Sequence, residues 1–186
     1  MSKNELEKLW DYSIDLPYRE KVEELQRVLI DHCKNNNMDL DVAEEGRKVV
    51  YPTETKYNHY FSNGLYIREM FCKKDYLGFT IIHNTANPLF LMKGKVAFAS
   101  EDGVEELTAP MFILTKPGTK RICYWIEDCV IINVHANPDG LTDLKEMEEK
   151  LYSNTWDQYD KVSSQDTWEI MEHTEYRKKI KNEKNK

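Results

Sequence analysis

Apolar residues recur at a helical period early in the chain and change to short alternating runs near residue 50. In "DLPYREKVEELQRVLIDHCKNN", Val22, Leu25, Val28, Leu29 and Cys33 fall on one helical face. Asp15 stands where a cap is expected. Pro17 lies in the first turn, where a missing N–H costs nothing, and asparagines mark the end. His32 sits beside the stripe and reads as a surface or boundary residue.

Between residues 50 and 137 the runs "GLYIREMF", "LGFTIIH", "PLFLMKGKVAFAS", "VEELTAPMFILT", "KRICYWI" and "DCVIINVHA" are β-branched and aromatic, with Gly, Pro, Asn and Asp between them. Strand signals about 8 to 12 residues apart predict a sandwich or barrel, not a parallel sheet with crossover helices. Asp102-Gly103 marks the clearest hairpin. Thr142 with Glu146, then Leu144, Met147 and Leu151, predict a short amphipathic helix. The expected organisation is one mainly β domain over 50–137. A helical extension precedes it over 1–48, and a helical extension with a basic tail follows over 138–186.

The 186 residues suit one domain with its own core. A net charge of −7 weighs against general binding to nucleic acid or anionic membrane. No run approaches the roughly 20 apolar residues of a spanning helix. "MSKNELEKLW" has no signal-peptide apolar region. Cys33, Cys72, Cys123 and Cys129 form no C-x-x-C pair, which points to reduced thiols in a cytoplasmic protein.

In this acidic chain one turn is basic: "LTKPGTKRICYWIED" carries Lys116, Lys120 and Arg121 around Pro117-Gly118. Strand alternation puts Arg121, Cys123 and Trp125 on one face, with Phe79, Ile81 and His83 as another same-face set. His83 reads equally as a ligand-facing or a structural histidine; His135 reads as structural and His59 as a rim residue. Arg68 and Glu69 are adjacent and must face opposite sides, so one of them points inward. Tyr66, Tyr124 and Trp125 are core aromatics, or stacking partners for a ligand. Lys95 and Lys120 are expected in solvent. No glycine-rich phosphate loop and no nucleophile triad stands out.

The segments "HYFSNGLYIREMF", "GFTIIHNTANPLFLMKGKV", "APMFILTKPGTKRICYWIED" and "VHANPDGLTDLKEMEEKL" resemble the cupin superfamily, and more narrowly cupin-like proteins encoded by bacteriophages. The resemblance implies a small antiparallel jelly-roll barrel. It also implies a metal motif, which this chain departs from. Anchored on Gly94, the motif puts Ile81 and Asn87 at two ligand positions and keeps His83; its second part, through Lys116 and Gly118, puts Arg121 at the last histidine position. A guanidinium has no lone pair for a cation, but its planar fork suits a carboxylate or phosphate.

The leading expectation is therefore a cytoplasmic, phage-type cupin without an intact metal site. It would bind a small, anionic ligand, a host metabolite or signalling nucleotide, through His83, Arg121, Asn87, Glu69, Tyr124, Trp125 and His59. Glu69 is the candidate ion-pair partner of Arg121. Lys120 is expected on the outer face. Two alternatives stay open. One is an enzyme, either with zinc, iron or manganese on His59, His83 and His135 or metal-free with His83 as base; the other is a virion-associated interaction scaffold. The expected partner state is a homodimer.

Overall fold

The computed structural model describes residues 7, 8, 10, 11, 16–36, 41–42, 49–51 and 55–162. Asp15, the side chain of Cys33 and the basic tail lie outside them. Helix α1 spans Tyr18–Asn35. The strands follow as β1 (Asp41–Val42), β2 (Val49–Tyr51), β3 (Lys56–Ser62), β4 (Gly64–Cys72), β5 (Tyr76–Phe79), β6 (Ile82–His83) and β7 (Asn87–Lys93). Next come β8 (Lys95–Ser100), β9 (Gly103–Thr108), β10 (Met111–Thr115), β11 (Ile122–Trp125) and β12 (Cys129–Asn137). Helix α2 (Leu144–Leu151), β13 (Tyr152–Ser153) and helix α3 (Trp156–Val162) end the described chain. No described helix is long and apolar enough to cross a membrane.

The strands form two main antiparallel sheets. One has the order β1-β2-β5-β11-β8-β9, the other β10-β7-β12-β4-β3, and β13 pairs separately with β6. The first sheet begins at Asp41, ahead of the boundary expected at residue 50, because β1 and β2 add to the edge of β5.

Alternation along each strand assigns the layers. Leu77, Ala97, Ile122 and Tyr124 face outward from the first sheet and meet Val22 and Leu25 of α1. Val22 is fully buried there, worth about 1.5–3 kcal/mol as an apolar side chain leaves water. Cys72, Leu91 and Ile131 of the second sheet face Val96, Phe98 and Trp125 of the first, forming the inter-sheet core. Met147 and Leu151 of α2 close one end against Tyr66 and Tyr152. The second sheet's outer face has no described helix against it. Phe112 stands 56% exposed there and Met92 54%.

Several local expectations need correction. Val28 lies outside the stripe, 38% exposed, since α1 rests on the sheet along Val22 and Leu25. The cap of α2 is Asp143, not Thr142: its carboxylate accepts from Glu146 N at 3.0 Å. Leu144 is exposed, while Met147 and Leu151 carry the buried face. The hairpin of β8 and β9 stands as expected, with Ser100 opposite Gly103.

Candidate functional site

A cavity of about 140 Å³ lies between the sheets. On β4 the inward parity belongs to Tyr66, Arg68, Met70 and Cys72. On β12, Asn133 pairs with Arg68, Ile131 with Met70 and Cys129 with Cys72. Across the gap Arg121 precedes β11, whose Cys123 and Trp125 pair with Phe98 and Val96 of β8. Arg68, Asn133, Arg121, Cys123 and Trp125 all line the cavity, as do Ile81 and His83. Phe79 borders it too, though it packs mainly in the helix-covered layer because the strand is interrupted at Thr80 and Ile81.

Both cavity guanidiniums are poorly compensated. Arg121 is 8% exposed. Its Nη1 donates to Thr115 Oγ1 at 3.2 Å, its Cζ lies 5.2 Å over the Phe98 ring, and its buried Nε has no acceptor. Burial pushes its pKa down, but an arginine stays charged. The Arg68 Cζ lies 5.2 Å over the Tyr152 ring and 6.0 Å over Tyr57, and its buried Nε also lacks an acceptor. Neither forms an ion pair with a described carboxylate within 4.0 Å. Glu148 lines the same cavity, and Asp102 and Glu105 border a second cleft on the other side of Arg121. Buried Trp125 Nε1 is a third donor without an acceptor.

His83 lies between these groups, 5% exposed. Asn133 Nδ2 donates to Asn87 Oδ1 at 3.1 Å, so Asn87 turns its Nδ2 toward His83 Nδ1 at 2.9 Å. His83 stacks on His135, ring centroids 6.1 Å apart, and meets the edge of Tyr152. Burial pushes the His83 pKa well below its ordinary value, helped by His135, Arg68 and Arg121. His135 Nε2 lies 3.3 Å from Tyr152 OH, and burial pushes its pKa down to about 3. Both rings are therefore neutral at pH 7.

Of the residues expected at the site, the fold brings His83, Arg121 and Trp125 to the cavity wall. Asn87 is fully buried behind His83 and bonded to it. His59 sits on β3, bonded through Nδ1 to Tyr66 OH at 2.8 Å, with Tyr66 between it and His135.

Three orientations differ from expectation. Glu69 faces away from the cavity, because its neighbours Arg68 and Met70 take the inward parity; it accepts from Asn58 Nδ2 and Tyr60 OH, each at 2.9 Å, and cannot serve Arg121. Tyr124 points to the helix-covered layer, its OH donating to Asp75 Oδ1 at 2.7 Å. Lys120 is outward from the barrel but not in solvent: α1 lies over it, and its Nζ donates to Gln26 Oε1 at 2.5 Å. Burial lowers its pKa to about 8. Lys95 is half-buried, paired with Glu106 at 2.5 Å. The residues that sequence reasoning missed as cavity groups are Arg68, Asn133 and Tyr152. For Arg68 a signal existed, since it shares the parity of Tyr66, Met70 and Cys72.

The turn that carries Arg121 is held by close contacts. Gly118 has φ +75°, and a Cβ there would come within 2.9 Å of the Tyr159 ring of α3. Gly118 N donates to His83 O at 2.8 Å, tying the turn to β6. Tyr18 of α1 donates its hydroxyl to Lys120 O. Both helical extensions thus brace the segment leading into Arg121.

The metal that the cupin resemblance implies does not fit these residues. Of the four corresponding positions, Ile81 offers no donor and Arg121 offers only N–H groups. Asn87 spends both amide ends on Asn133 and His83, and His83 Nδ1 faces that amide. Among the described residues no group of three His, Cys, Asp or Glu converges.

Two facing antiparallel sheets in this strand order, with helices at both ends, make the described chain a single β-sandwich domain. No family model and no curated protein sequence matches it. Among solved structures, ectoine synthase from P. lautus aligns at 13% identity and a TM-score of 0.43, covering 52% of this chain and 72% of that one. A putative acetylacetone dioxygenase from Methylibium petroleiphilum aligns at 12% identity and a TM-score of 0.39, covering 63% and 90%. A cupin-2 domain containing protein from Shewanella frigidimarina aligns at 14% and 0.38, covering 44% and 80%.

Proposed function

We propose that this protein is a small-molecule binding module that encloses an anionic ligand between its sheets. One observation carries the reading: Arg68 and Arg121 line one cavity with buried Nε atoms that lack acceptors, and neither has a carboxylate of the described residues within 4.0 Å. A buried charge without a counter-ion is costly, and a bound anion removes that cost. In the cytoplasm of an infected host cell such a module would withhold a host metabolite. The cavity volume favours a metabolite over a nucleotide, because drug-sized ligands occupy roughly 300 Å³ or more.

A thermal-shift screen of the purified chain with metals, nucleotides, sugars and carboxylates tests this. A ligand at 100 times its dissociation constant adds about 2.7 kcal/mol of stability. Stabilisation by an anion, lost in Arg121→Met, is expected. About one tightly held iron, zinc or manganese per chain, lost on His83→Ala, would overturn the reading.

The second sheet supports a homodimer as the partner state. Its outward positions Ile67, Phe71, Phe90, Phe112 and Ile132 form an apolar surface across β4, β7, β10 and β12. Glu69 shares this face, held by Asn58 and Tyr60, and the surface best matched to the apolar residues around it is the same face of a second copy.

A further inference from the structure

The cavity is polar at one end and apolar at the other, and strand register sets the order. Along β4 the inward residues run Arg68, Met70, Cys72; along β12 their partners run Asn133, Ile131, Cys129. On the opposite wall the sequence is Arg121, then Cys123 beside Phe98, then Trp125 beside Val96. Three rows result: guanidiniums with Asn133 and His83, then Met70, Ile131, Cys123 and Phe98, then Cys72, Cys129 and Val96 around the Trp125 indole, whose Nε1 has no acceptor.

The charge at the polar end is also defined. Of the cavity-lining groups, Arg68 and Arg121 are cationic and Glu148 is anionic. His83 is neutral, and burial pushes the Cys123 thiol up to about 12, so it is neutral too. The lining therefore carries two enclosed guanidiniums and one exposed carboxylate, a formal net charge of +1. A monoanion balances it, whereas a dianion leaves an excess negative charge in a desolvated space. The volume limits the rest of the ligand: about 140 Å³ compares with the roughly 150 Å³ apolar cavity that holds a benzene ring.

We infer that the ligand is a compact amphipathic monocarboxylate, an aryl or short branched-chain acid. Its carboxylate lies among Arg68, Arg121 and His83, and its hydrocarbon body extends between Met70, Ile131 and Cys123 toward Trp125. This rests on the anion-binding reading of the same cavity and specifies the chemistry. Both guanidiniums present N–H groups suited to paired contact with a planar carboxylate. The hydrocarbon rows exclude water from those contacts and strengthen them.

Calorimetric titration of the full chain tests the inference. The probes are benzoate, phenylacetate and isovalerate, with benzamide as the neutral isostere, acetate as the anion without a body, and succinate and inorganic phosphate as dianion-forming competitors. Benzoate is expected to bind about 10- to 100-fold more tightly than benzamide, the worth of hydrogen bonds to a charged group. It is also expected to bind more tightly than acetate, and naphthoate more weakly than benzoate, because it outgrows the cavity. Tighter binding of phosphate or succinate than of benzoate overturns the monocarboxylate and leaves the anion reading standing. Equal affinity for benzoate and benzamide, or no heat with any anion at millimolar concentration, overturns both.

Discussion

The amide nitrogen of Asn87 lies 2.9 Å from Nδ1 of His83, and the amide oxygen of Asn87 already accepts from Asn133. The ring nitrogen facing Asn87 is therefore the acceptor, and the proton of neutral His83 sits on Nε2. A histidine in that tautomer presents the cavity with a donor. General-base catalysis needs a free lone pair directed at the substrate. Here the available lone pair is already engaged, so the network favours binding through His83 over proton abstraction by it.

Nitrogen-15 NMR of the imidazole ring reads this directly. His83 is expected as the neutral Nε2–H tautomer at neutral pH, with no titration step at the ordinary histidine value of 6.5. Asn87→Asp replaces the donor with an acceptor and is expected to move the proton to Nδ1. A wild-type spectrum with the proton on Nδ1 would return His83 to the role of base.

Arg121 differs from a structural arginine in what its loss does. Its removal takes away a buried, poorly paired charge, so Arg121→Met is expected to leave the ligand-free protein equally stable or more stable, by up to about 4 kcal/mol. Ligand affinity is expected to fall about 10- to 100-fold. Lys120→Met, under α1, is expected to leave affinity unchanged. Paired urea melts and titrations measure both effects. A destabilisation of more than about 2 kcal/mol in Arg121→Met would mark the residue as part of the scaffold.

The histidine stack makes the fold sensitive to acid. The His135 pKa is lowered from 6.5 to about 3 by burial, so below pH 6.5 the unfolded chain binds a proton that the folded chain refuses. Stability attributable to this group is full above pH 6.5 and declines as pH falls toward 3. His83 has the same sign, since its pKa is also lowered. A pH series of urea melts should show this decline, and His135→Gln should flatten it. A parallel slope in the variant would assign acid sensitivity to other groups.

Period and punctuation made the sandwich legible. Six apolar runs between turn residues gave antiparallel strands, and the parity of Arg121, Cys123 and Trp125 gave one wall of the cavity. The opposite wall was harder to read. Arg68 and Glu69 are adjacent, and sequence alone does not say which faces inward until the strand is anchored on Tyr66 and Cys72. Lys120 was misread because parity separates barrel interior from exterior but does not reveal that α1 covers that exterior. Tyr124 is the opposite case: its alternation with Cys123 and Trp125 already assigns it to the outer face, away from the cavity. The Asn87–Asn133 contact joins residues 46 positions apart, a distance across which local spacing carries no information.

The uncovered face of the second sheet leads to a prediction about assembly. α1 occupies the equivalent face of the first sheet with apolar contacts, whereas Phe90 and Phe112 meet each other as a tilted ring pair, centroids 5.2 Å apart, and no described helix covers them. Phe112 lies on β10, an edge strand, opposite Phe90 on β7. Sheet-on-sheet pairing of two copies would bury both rings and remove the exposed apolar surface. Light scattering is expected to give a dimer for the wild-type chain and a monomer for Phe112→Lys, because each new ammonium would have to be desolvated in the contact. Glu105→Ala, on β9 of the other sheet, should leave the dimer intact. A wild-type chain that is monomeric at every working concentration, or a Phe112→Lys variant that still dimerises, rules out this face as the interface.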